Sequence, residues 1–117
     1  MQTARYLIEG AAMRIMRPAV VNEAEIARRV KAVERKLKPD VVRIRHDVTL
    51  NSTDQESIFF RIVLSDDASR ESRLREVTER IEARLEKAIP FDDFGLYLYF
   101  LYRNRSEQAE MKEPSWA

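Results

Sequence analysis

The sequence predicts an α+β domain of element order αββαβ, with a three-stranded antiparallel sheet, helices on one of its faces and an additional amino-terminal helix. Three observations carry this reading. Some stretches space their apolar residues by three and four, others alternate apolar with polar residues, and Pro, Asn, Asp and Ser separate them. With 117 residues and 44% hydrophobic side chains, the chain has apolar surface for one core. We divide it into a single domain over 1–103 and a polar tail over 104–117, expected to be flexible. Within the domain, 1–17 is the amino-terminal helix and 22–103 the αββαβ core.

In the first helix Ala4, Leu7, Ile8, Ala11, Ala12 and Ile15 share one side, and Pro18 ends it. Glu9 among its arginines favours packing on the domain or on a partner subunit over lying on a membrane. At the second helix Asn22 is placed to cap, Glu25 to complete a capping box and Val21 to staple against Ile26. Ile26, Val30, Val33 and Leu37 make its apolar stripe, which stops before Pro39. Its basic face is interrupted by Glu23, Glu25 and Glu34, the pattern of a solvated surface rather than a phosphate site.

Val42, Ile44, His46, Val48 and Leu50 then alternate with Arg43, Arg45, Asp47 and Thr49, as in a half-buried strand. Asn51 to Gln55 supply a hairpin turn, and the returning strand Ile58 to Leu64 aims Ile58, Phe60, Ile62 and Leu64 at the core. Asp66 and Asp67 are expected to open the third helix, whose stripe is Leu74, Val77, Ile81 and Leu85 and which stops at Pro90. In the last strand Phe94, Leu96, Leu98, Phe100 and Tyr102 alternate with Tyr97, Tyr99, Leu101 and Arg103. Both of its faces are apolar or aromatic.

With helices available for only one face of the sheet, something else must cover the other. That second face holds Arg43, Arg45, Phe59, Arg61, Val63, Tyr97, Tyr99, Leu101 and Arg103, and it is the candidate interaction face. Pairing of two copies, with tyrosines, Phe59, Val63 and Leu101 central and arginines at the rim, is the leading expectation, and a different protein partner fits the same chemistry. The alternative is single-stranded RNA, its bases stacked on Phe59, Tyr97 or Tyr99 and its phosphates on Arg43, Arg45 and Arg61. The glycine and aromatic signature of an RNA-recognition motif is absent. Trp116 is the candidate anchor that seats the tail in a groove of its own domain or of a partner.

The element order is that of ferredoxin-like domains. Together with Leu7-Ile8-Glu9-Gly10 and His46-Asp47-Val48, it resembles the cytosolic domain of cation-efflux transporters over about Leu7 to Arg103. The resemblance implies a dimer with a metal-regulated interface, His46 and Asp47 standing at ligand positions. Where that family often has further histidines, this chain has Phe60 and Ile62, and its last strand has no histidine.

Reactive side chains are few. One histidine and no cysteine leave no imidazole or thiolate cluster for a transition metal, and no second imidazole for a catalytic relay. Gly10 and Gly95 stand alone, so no glycine loop cradles a phosphate. Asp66-Asp67 and Asp92-Asp93 sit at element boundaries, where aspartates cap. We therefore expect no catalytic residue, no metal and no cofactor. The 21 basic and 20 acidic residues nearly cancel, so no overall field draws the protein to nucleic acid or membrane. No apolar run approaches a membrane span, and Arg5, Glu9 and Arg14 interrupt what would be a secretory signal. The sequence thus predicts a non-enzymatic, homodimeric interaction or regulatory module in the cytoplasm.

Overall fold

The computed structural model describes residues 22–117, and the helix expected over 1–17 lies outside the described residues, as does the Val21 staple. The stripe of Ile26, Val30 and Val33 winds into α1, Glu23–Lys36. Asn22 occupies its N-cap position without a side-chain capping bond, and Glu25 turns to Arg28 and Arg29 instead. The expected capping box does not form, because a carboxylate bonds a guanidinium more strongly than a neutral backbone N–H. The Arg29 hydrogen bond is also the main reason the Glu25 carboxyl lies below its ordinary range.

The alternating segments form β1, Val41–Leu50, and β2, Glu56–Leu64. They pair antiparallel, and the Asn51 side-chain oxygen closes their hairpin by accepting from the Thr53 and Gln55 N–H groups, each at 2.9 Å. Next come α2, Glu71–Ala88, and one helical turn α3, Phe91–Phe94, before β3, Tyr97–Asn104. The strand order is β1-β2-β3, and β3 runs parallel to β2. The sheet is therefore mixed, not antiparallel as expected. The 18 residues of α2 span roughly 27 Å at about 1.5 Å per residue. That length carries the chain back along the sheet, so β3 starts at the same end as β2.

Two boundaries also move. Residues 66–69 form a turn and α2 begins only at Glu71. Asp66 accepts instead from the Ser106 N–H and hydroxyl at 3.1 and 2.6 Å, while Asp67 pairs with Arg70 and Arg73. Phe94 belongs to α3 rather than the last strand, and Gly95 at φ 68° turns the chain into β3. Phe94 and Leu96 are nevertheless buried, so both join the core without being part of the sheet.

α1 and α2 lie on one side of the sheet and enclose Ile44, Ile58, Phe60 and Ile62. Val77, Ile81 and Leu85 are fully buried, whereas Leu74, expected in the same stripe, is exposed. Arg73 donates to both carboxylate oxygens of Asp40 at 2.8 and 3.0 Å and also reaches Asp67. One guanidinium thus ties the start of α2 to the turn before β1.

Residues 104–117, expected as a flexible tail, carry regular structure. Asn104 and Glu107 form a reciprocal capping box, both bonds 2.8 Å, that starts α4, Arg105–Met111. Lys112 in the left-handed region at φ 56° then reverses the chain. A 3-10 turn over Pro114–Trp116 packs back on β2 with Trp116 buried.

Candidate interaction surface

Strand register decides which side chains share the sheet's second face. Asp47, Phe59 and Tyr99 form one row across the three strands, Arg45, Arg61 and Leu101 the next, and Arg43, Val63 and Arg103 a third. Tyr97 extends the face beside Ser57. All the candidate face residues are thus brought together. They divide into a covered half and an open half.

The chain's own residues 113–117 cover the first half. Arg61 donates its Nε–H to the Ser115 carbonyl at 2.7 Å, Arg43 to Trp116 at 2.8 Å and Arg45 to Ala117 at 2.7 Å. Three guanidiniums therefore satisfy three successive main-chain oxygens, which a turn lying on a sheet would otherwise leave without partners. The Arg103 guanidinium lies 4.3 Å from the centre of the Trp116 ring and pairs with Glu113. Gln108, buried in α4, accepts from Arg103 and donates to the Glu113 carbonyl at 2.9 Å. Val63 has no solvent exposure beneath this cover. Arg61 also pairs with Asp47 at 2.6 Å, but among the described residues no side-chain carboxylate pairs with Arg43 or Arg45.

The open half is aromatic. Phe59 and Tyr99 stack with ring centres 4.8 Å apart and planes 13° from parallel, and Tyr97 rests against Phe91 at 5.0 Å. Phe91 is 52% exposed, Tyr97 41%, Tyr99 39% and Leu101 46%, so this is a contiguous apolar strip rather than a scatter of single residues. Asn51 donates to the Tyr99 hydroxyl at 3.0 Å and fixes its outer edge.

His46 and Asp47, the ligand positions implied by the resemblance to cation-efflux domains, diverge. His46 faces the core, 6.3 Å from the Phe60 ring, where burial holds its imidazole below the ordinary value. Asp47 is on the opposite face with Arg61. Among the described residues no three His, Asp or Glu side chains gather in a way that could hold a metal ion.

Sequence reasoning missed several contributors. Phe91 stood outside every expected element, and Gln108 and Glu113 lay in the expected tail. Glu34, assigned to a solvated face, is buried and accepts from the Ile44 N–H at 2.8 Å. Within the expected tail the sequence singles out only Trp116, as an anchor.

The described residues define an α+β domain with a mixed three-stranded sheet, one face of which is half covered by its own chain and half open. No described helix is long and apolar enough to cross a membrane. Comparison of the chain with protein-family models, with curated proteins and with solved structures found no match.

Proposed function

We propose that the protein is a non-enzymatic interaction module of the cytoplasm that pairs with a second copy of itself through β3 and the adjoining aromatic strip. The exposed run of Tyr97, Tyr99 and Leu101 on a strand that pairs only with β2 among the described residues carries this reading. The contrast between the two edges supports it. On β1 the buried Glu34 carboxylate takes up the Ile44 N–H, as expected of a protected edge, whereas β3 ends in apolar side chains.

Antiparallel pairing of two β3 strands about Tyr99 would set Tyr97 opposite the partner's Leu101 and join the sheets into one of six strands. Both strips would then lie on the same face, and no charge in the row of Tyr97, Tyr99 and Leu101 would oppose its own copy. Single-stranded nucleic acid is the second reading of the same sheet. The guanidiniums it needs are engaged by residues 113–117, which leaves the open half without positive charge for phosphates.

Light scattering on a size-exclusion column tests the pairing. A dimeric mass that falls to a monomer in Leu101→Arg supports it. A monomeric mass at every concentration, or a dimer indifferent to Leu101→Arg, overturns it.

A further inference from the structure

We propose that residues 3–17 of the same chain lie across the open half of the sheet's second face, as residues 113–117 lie across the other half. The described residues expose seven large hydrophobic side chains. Phe91, Tyr97, Tyr99 and Leu101 are gathered on this face, while Leu50, Leu74 and Met111 stand apart on β1, α2 and α4. Pairing β3 edge to edge leaves the rings uncovered, so this inference does not rest on the dimer.

The place where residues 3–17 join the domain fits them to the strip. α1 runs back along β1, with Glu34 near its end bonded to Ile44 near the start of the strand. Earlier in α1, Arg29 donates to the Ala88 carbonyl at 2.8 Å and stands 5.2 Å from the centre of the Phe94 ring. Asn22 is therefore at the end of the sheet where α3 and Tyr97 begin the open half, opposite the end that residues 113–117 close. Extended, the link from Arg17 to Asn22 reaches roughly 17 Å, which carries the chain round the sheet's end. At helical spacing residues 3–17 span about 22 Å, more than the width of three strands about 4.8 Å apart.

Chemistry agrees. Ala4, Leu7, Ile8, Ala11, Ala12 and Ile15 share one side at helical spacing, and Arg5 and Arg14 flank it. Seated on the strip, that side meets the aromatic rings. The arginines then meet Asp92 and Asp93, which follow Phe91 and have no ion-pair partner among the described residues. A short amphipathic segment draws its order from such an apolar face more than from its own propensity.

The chain has no cysteine, so Glu9→Cys, on the polar side of the segment, takes a single nitroxide label. In amide NMR spectra of the full chain the label should erase the signals of Phe91, Tyr97 and Tyr99 and spare those of Arg75 and Glu79 on the outer side of α2. Leu7→Asp combined with Ile8→Asp should restore the erased signals while the rest of the spectrum shows the domain still folded. Leu101→Arg tells the chain's own segment from that of a second copy, because the loss at Phe91 and Tyr97 should persist in a monomer. Loss at α2 instead, loss at neither place, or loss that disappears with Leu101→Arg would overturn the assignment. The mass of the native chain decides the dimer separately.

Discussion

Glu34 seals one edge of the sheet with a single carboxylate. It projects from α1, is 7% exposed, and accepts the Ile44 N–H that β1 turns away from β2. Replacing it by alanine leaves that N–H without an acceptor, and we expect Glu34→Ala to lose about 1–3 kcal/mol of stability in urea denaturation. Glu34→Gln keeps an acceptor oxygen and should lose less. Asp40 governs acid stability through a different route. Hydrogen bonding from Arg73 holds its carboxyl below the ordinary value of 3.8, so the folded state binds this proton less readily than the unfolded chain does. The stabilisation is complete above the unfolded value and is lost as pH falls through the lower, folded one. Urea midpoints followed from about pH 5 to pH 2 should therefore decline less steeply in Asp40→Asn, which starts from a lower plateau. A parallel decline in both proteins would show that the clamp does not couple to pH.

At the scale of elements, the sheet and its helices are held through Phe60. Its side chain is fully buried in the central strand and stacks on Phe100 of β3 at 5.6 Å. We expect Phe60→Ala to cost about 3–5 kcal/mol, since it opens a cavity where helices and sheet meet. Calorimetry should show a lowered midpoint with a single transition, because both helices pack on the same residues. On the helix-covered face of β3, Tyr102 bonds Glu82 of α2 at 2.7 Å, and burial together with that carboxylate keeps its phenol protonated well above the ordinary range. Tyr102 thus fastens α2 to the strand that follows it.

Across the whole molecule, the two halves of the second face are expected to work independently. Leu101→Arg should convert dimer to monomer without moving the emission of Trp116. Trp116→Ala should loosen residues 113–117 without changing the mass. Light scattering and iodide quenching of tryptophan fluorescence separate the two effects, and a mass change in Trp116→Ala would mean that the turn contributes to the dimer.

The sequence by itself determined most of what local periodicity encodes, although the exposed Leu74 and the helical Phe94 departed from it. The spacing of Ile26, Val30 and Val33 set α1, the alternation in β1 and β2 assigned Arg43, Arg45, Phe59 and Arg61 to a common face, and Asn51 marked the hairpin. Caps were less legible, because Glu25 and Asp67 had stronger partners in nearby arginines than in the backbone, and Asp66 found Ser106, 40 residues away. The direction of β3 was not written in its own residues, since alternation is the same in parallel and antiparallel strands and only the path of α2 distinguishes them. Nor was the fate of the arginine face. Arg43, Arg45 and Arg61 meet main-chain oxygens 54 to 73 positions away along the chain, bonds to backbone atoms that every residue carries. A contact with main-chain oxygen leaves no mark in the identity of its partner, so only the tertiary structure could show that the chain covers half of this sheet face itself.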